Sequence, residues 1–303
     1  MVSRFFFTIY FFTMTCSVFS KNNYTYKEIV ILVGGFESNN SFISYVTIDG
    51  VRYLVKQKKT VSKQFSVVRD TFAAYIAKDL GIAHSVKIIS PEEKFPGKKN
   101  VTWPATLHTI ASGKTIRSQP KSKYYNLCLK QRLPSSILSV NRWLTETIIH
   151  QMTWHKQLPI IIGLDLFICN TDRHRANLFY DPETDSFCAI DMDNIFRRDL
   201  PALACQKLTL MIDRKKEFTK DEILALTSMR DTIQFLLGKY PVKKLIKKLH
   251  FFVEQAGFIK NSSTYTEKIA KKIARHERTI IQSRASAYKL ISLVNKIIDN
   301  FNG

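Results

Sequence analysis

The feature that most constrains this chain lies between residues 164 and 196, LDLFICNTDRHRANLFYDPETDSFCAIDMDNIF. Two short apolar runs, Asn177-Leu178-Phe179-Tyr180 and Phe187-Cys188-Ala189-Ile190, flank the turn chemistry of Asp181-Pro182-Glu183-Thr184-Asp185-Ser186. That pattern predicts an antiparallel hairpin. Pairing residues 178–180 with residues 187–190 sets the start of the first strand beside the end of the second, so Asn177 and Asp191 become neighbours. An amide oxygen and a carboxylate then face one spot. This is donor chemistry for Mg²⁺, a hard cation that takes one or two protein ligands and completes its shell with phosphates and water. Asp172 lies five residues before Asn177, in the loop entering the hairpin.

The order Asp172, Asn177, Asp191 is that of a kinase catalytic loop followed by a metal-binding aspartate. The run Asn170-Thr171-Asp172-Arg173-His174-Arg175-Ala176-Asn177, followed by Ala189-Ile190-Asp191, resembles the Asp-Arg-His-x-x-Asn and Ile-Asp signatures of phosphatidylinositol 3- and 4-kinases. It is also similar to the Asn-Thr-Asp-x-His-x-x-Asn loop of HipA-like kinases and related secretory-pathway kinases. The resemblance covers residues 26–196 and implies an α+β, bilobal protein-kinase-like fold. Its β-rich N-lobe is expected at residues 21–112 and its mainly helical C-lobe at residues 113–303. ATP and Mg²⁺ are the implied cofactors. In this reading Asp172 accepts the proton of the attacking hydroxyl, His174 shares that work near the transferred phosphate, and Asn177 and Asp191 hold the metal. Kinases usually carry a glycine just after the metal aspartate; Asp193 stands in that place here. Asp193 is expected to help hold a second metal, and the alternative is an altered segment in a chain that has lost turnover.

Upstream, residues 26–32 are strand-like, Gly34-Gly35 open a loop, and residues 41–48 and 51–58 are strand-like on either side of Asp49-Gly50. That dipeptide signals a two-residue hairpin. The glycine pair lets backbone N–H groups approach phosphates, and a lysine on the following strand supplies a point charge. Leu54, Lys56 and Lys58 share a face by alternation. Lys56 is the better candidate because it follows the apolar Tyr53-Leu54-Val55, whereas Lys58 begins a polar run. Residues 62–80 read as a helix ended by Gly81. HipA-like kinases place a glutamate on this helix where the chain has Asp70, which implies an ion pair with Lys56 on a shorter arm. Residues 105–110 fall where a kinase chain crosses between lobes, with the backbone of Leu107 and His108 expected to meet adenine.

The formal net charge of +21 favours an acidic partner such as a membrane surface, nucleic acid or nucleotide. No zinc finger, helix-turn-helix pattern or aromatic-basic RNA motif accompanies it, so no specific nucleic-acid partner is expected. Three helices are expected after the hairpin. The first has a capping box from Thr219 to Glu222 and is closed by Gly238, the second begins at Pro241, and the third is capped by residues 264–267. The second presents Lys243, Lys244, Lys247 and Lys248, either as a contact for anionic lipid or as a solvated face.

Residues 1–20 pair Arg4 with an apolar core too short to span a bilayer, which predicts a signal peptide cleaved near Lys21 and an exported protein. Four cysteines then remain, Cys128, Cys169, Cys188 and Cys205, without the spacing of a zinc site. Sequons at Asn23, Asn39, Asn100 and Asn261 arise readily by chance at this composition. The function expected is transfer of phosphate to a hydroxyl of a protein or phosphoinositide. The alternatives are a pseudokinase that binds nucleotide or an acidic partner, and a kinase-fold enzyme that transfers AMP.

Overall fold

The computed structural model describes residues 10–11, 29–37, 41–48, 51–58, 61–89, 104–110, 114–115, 144–173, 177–181, 183–258 and 267–302. His174, Cys128, the Asp49-Gly50 turn, residues 264–266 and all of the expected leader except Tyr10 and Phe11 lie outside them.

Strand-forming residues build an antiparallel meander of β2 (Ile29–Glu37), β3 (Ser41–Ile48) and β4 (Val51–Lys58). The register of β3 and β4 puts Ile48 opposite Val51. On one edge β1 (Tyr10–Phe11) pairs with β2; on the other, β6 (Ala105–Thr109) pairs with both β4 and β5 (Val86–Ile89). Gly34 and Gly35 do not open a loop. They lie within β2, where the register slips between Leu32 opposite Tyr45 and Phe36 opposite Ile43. A bulge absorbs the extra residues, and glycine has no side chain to obstruct it.

Helix α1 (Val61–Ala77) runs into a short 3-10 turn and stops at Gly81, whose φ of 66° lets its N–H donate to the Lys78 carbonyl at 3.1 Å. The chain then meets the hairpin of residues 178–189 directly. Ala189 donates its N–H to the Ile82 carbonyl at 2.7 Å, beside a parallel bridge between Ala83 and Ala189.

The remainder is mostly helical: α2 (Glu146–Met152), α3 (Leu158–Phe167), α4 (Leu200–Asp213), α5 (Lys220–Lys239), α6 (Val242–Gln255) and α7 (Glu267–Asn302). A small sheet of β7 (Lys114–Thr115), β8 (Leu178–Asp181) and β9 (Ser186–Ala189) accompanies them. The apolar sequence LPIIIGLDLF makes α3 a helix buried along most of its length, with Pro159 in the first turn, where its missing N–H costs nothing. Four helices follow the hairpin where the pattern predicts three; the additional one, α4, is started by Asp199, whose carboxylate accepts from the Ala202 N–H at 3.1 Å. The Thr219–Glu222 capping box forms as expected. Gly238 lies inside α5, and the chain turns only at Tyr240-Pro241.

One core spans both parts. Phe72 of α1 meets Phe196 and Phe252 edge-on at 5.5 and 6.2 Å between ring centroids. The fold is thus mixed α and β, with an antiparallel sheet followed by a mostly helical part. Among the described residues no helix is long and apolar enough to cross a membrane.

α3 and α5 approach closely at Gly163: a Cβ there would lie 2.9 Å from the Met229 carbonyl oxygen and 3.0 Å from Thr232 Cβ. Gly163→Ala is expected to cost about 1–3 kcal/mol through overpacking. A Cβ on Gly238 meets nothing within 4 Å. Gly238→Ala should therefore stabilise α5 by up to about 1 kcal/mol. Denaturant midpoints of the two variants check both signs.

Candidate active site

The loop is built on a charge that α3 carries into the core. Asp165 is the single ionisable residue of that helix and is fully buried. Arg173, itself buried, grips it with two bonds, Nε to Oδ2 at 2.8 Å and Nη2 to Oδ1 at 3.0 Å. The third nitrogen, Nη1, donates to the carbonyls of Asn177 at 2.5 Å and Ile190 at 3.2 Å. One guanidinium therefore joins α3, the loop and both strand ends. Asn170 completes the brace, donating to Asp165 Oδ1 at 2.7 Å while its own Oδ1 accepts from the Asp172 N–H at 3.2 Å.

Within this brace Asn177 donates its amide Nδ2 to the Asp172 carbonyl at 2.9 Å, which turns its amide oxygen the other way. The hairpin has the expected register: Leu178 faces Ala189, and Ile190 donates to the Asn177 carbonyl at 3.1 Å. Asp191 follows at once with a left-handed φ of 51° and a side chain 42% exposed. Asp172 is half-buried, and its Oδ2 accepts from Asn194 Nδ2 at 2.9 Å.

Lys56 crosses from the sheet to this hairpin. Its ammonium hydrogen-bonds Asp191 and lies 3.9 Å from Asp70 on α1. Burial opposes its charge, yet the carboxylates of Asp191, Asp70 and Asp193 outweigh that and hold it above the usual lysine range. The strand, the helix and the hairpin thus meet at one ammonium group. The side chain of Lys58 lies outside the described ones.

Leu107 and His108 do not present a free backbone. Each is paired on both sides, Leu107 with Val55 and Lys87, His108 with Leu54 and Val86. Their N–H and C=O groups are taken by neighbouring strands, so a crossing backbone begins no earlier than Ile110. His108 instead contributes its side chain to the interior. Its Nε2 is 2.8 Å from Thr106 Oγ1 and 3.6 Å from Asp70 Oδ2, and its Nδ1 is 2.9 Å from His84 Nε2. Burial first, and Lys56 second, push His84 down to about 4, so it is neutral at physiological pH.

The oxygen donors Asn177, Asp191 and Asp193 fit a hard cation. Among the described residues they do not belong to a preassembled group of three or more His, Cys, Asp or Glu ligands. A site of that kind suits Mg²⁺, which takes its remaining ligands from phosphate and water. Sequence reasoning assigned no role to Asp165, Arg173, Asn194 or His84. The available signal was a lone acid in an apolar helix, eight residues before an arginine.

No family model matches the chain, and no curated protein matches it in sequence. Solved structures are similar in fold. They include the proinflammatory kinase CtkA of Helicobacter pylori, at 13% identity and a TM-score of 0.46, covering 86% of this chain and 95% of that one. The N-terminal 618-residue fragment of LepB from Legionella pneumophila has 11% identity and a TM-score of 0.43, covering 88% and 46%. A chain of the Shewanella oneidensis complex of HipA, HipB and operator DNA has 11% identity and a TM-score of 0.42, covering 95% and 70%. These identities are too low to carry residue roles from one chain to another.

Asp165→Asn strands the Arg173 charge in the core and is expected to cost about 3–5 kcal/mol in unfolding free energy. Asp165→Leu combined with Arg173→Met removes both charges and should recover part of that loss. Equilibrium denaturation of the two variants checks the order.

Proposed function

We propose that this chain is an ATP- and Mg²⁺-dependent phosphotransferase acting on a hydroxyl of a protein or phosphoinositide. The observation that supports this reading best is the meeting of Lys56 on a strand and Asp70 on the next helix with Asp191, 135 residues on from Lys56, beside a loop that holds Asp172 and Asn177. Phosphoryl transfer depends on positioning and charge neutralisation more than on covalent chemistry, and these residue types supply both.

In this reading Asn177 and Asp191, joined by Asp193, would hold Mg²⁺, which neutralises charge on phosphate oxygens when bound. Lys56 moves its ammonium from Asp191 to phosphate, and Asp70 keeps it aimed as it moves. Asp172 accepts the proton of the attacking hydroxyl through its carboxylate, whose orientation the Asn194 amide sets. His174 is proposed to lie near the transferred phosphate. The glycines of the β2 bulge leave room for phosphate beside the strand.

Residues 1–20 support export. Lys243, Lys244 and Lys247 of α6 are exposed and suit an anionic membrane surface. Lys248 is spent differently: its ammonium lies 4.2–4.8 Å from the centroids of the Tyr75, Phe251 and Phe252 rings.

Mass spectrometry of acceptor proteins and phosphoinositides after incubation with ATP and Mg²⁺ tests the reading. Added phosphate is expected; added adenylate indicates AMP transfer, and no product indicates a pseudokinase. Asp191→Asn should lower turnover about 10²-fold or more while leaving the fold intact. Full activity in that folded variant would remove Asp191 from the site.

A further inference from the structure

Arg69, one residue before Asp70 on α1, belongs to a second cluster of charge. Its floor is aromatic. His276 of α7 packs edge-on against Phe65 of α1 at 5.3 Å and against Phe196 at 6.2 Å. This fastens α7 to α1 and to the segment that follows Asp193. Burial and the guanidinium groups of Arg69, Arg275 and Arg197 push His276 down to about 4, so it adds no charge at neutral pH.

Cations gather around this floor. Arg275 Nη2 donates to the Arg197 carbonyl at 3.2 Å, and the Lys272 ammonium stands 5.8 Å from the centroid of the Phe65 ring. Lys268 and Lys271 extend the group along an open groove on α7, which Lys272 and Arg275 also line. Among the described residues, Asp193 and Asp70 attract Arg69, and Glu267 lies 2.6 Å from Lys271. They do not balance the cluster. Arg69 is pushed down to about 10 by burial, with repulsion from Arg197 and Arg275 adding to it. Its buried Nε finds no acceptor among the described groups.

Like charges closer than the Debye length of roughly 8–10 Å repel, and a buried donor without an acceptor is costly. An anion bound here relieves both. Guanidinium forks fixed on different elements are the usual recognition of phosphate oxygens. The geometry points to a binding site for a phosphate-bearing anion, separate from the Lys56 site, held by Arg69, Arg197, Lys272 and Arg275 with Lys268 and Lys271 along the groove. The phosphate is either that of a soluble anion or the monoester headgroup of a lipid.

The test uses the full chain without Mg²⁺. Inorganic tripolyphosphate is titrated by calorimetry, and flotation is measured with phosphatidylcholine vesicles with and without phosphatidic acid. Saturable binding to one of the two probes is expected. Arg197→Gln with Arg275→Gln, both at exposed positions, should weaken it about tenfold or more. Lys289→Gln with Lys296→Gln removes equal charge from exposed positions towards the other end of α7 and should leave it nearly unchanged. Loss of tripolyphosphate binding in the arginine pair identifies a soluble phosphate as ligand; loss of phosphatidic-acid-dependent flotation identifies a lipid headgroup. The inference is overturned if neither probe binds. It is equally overturned if the lysine pair weakens binding as much as the arginine pair, since the net charge of +21 would then account for the binding.

Discussion

The buried pair of Asp165 and Arg173 is the constraint on which the proposed active site depends. A fully buried carboxylate in an apolar helix is tolerated only with a partner that satisfies its oxygens, and the Arg173 fork does so with two bonds. The remaining nitrogen reaches carbonyls on both strands of the hairpin, so neutralising the charge also sets the loop geometry. Such a pair adds little net stability compared with an apolar replacement, but it specifies one arrangement. Asp172, Asn177 and Asp191 inherit their positions from it.

A second junction lies where the sheet and α1 meet the hairpin. Asp70 on α1 stands 3.9 Å from the Lys56 ammonium. His108 stands 3.6 Å from the same Asp70 oxygen and is backed by His84, so two imidazoles share the space behind the lysine. His84 occupies that position because the chain leaving α1 pairs with β9 through Ile82 and Ala83. The contacts that orient Lys56 thus run through both parts of the fold.

Much of this was legible in the sequence because the signals are local. The hairpin register follows from two apolar runs around a turn, and Lys56 from an apolar triplet before it. The α5 capping box is a pattern within four residues. What escaped depends on distant partners. His108 looks like any residue of an extended run until β5 and β4 pair on either side of it. Gly238 resembles a terminator, yet α5 continues through it in ordinary helical conformation to Lys239. The start of α4 was written in Asp199-Leu200-Pro201, but its apolar period is broken by Gln206 and Lys207, so the cap outweighs the pattern. Asp165 required knowing that the helix around it is buried.

In the proposed phosphotransferase Lys56, rather than Lys58 two residues on, supplies the ammonium that meets phosphate. Side-by-side turnover assays of Lys56→Met and Lys58→Met with ATP and Mg²⁺ test it most directly, because the two variants lose the same charge two residues apart. Lys56→Met should lower turnover by about 10²-fold or more, since its ammonium is held in a mostly buried position between Asp70 and Asp191, and Lys58→Met only slightly. An inactive Lys58→Met beside a fully active Lys56→Met would instead place the phosphate-binding ammonium at Lys58.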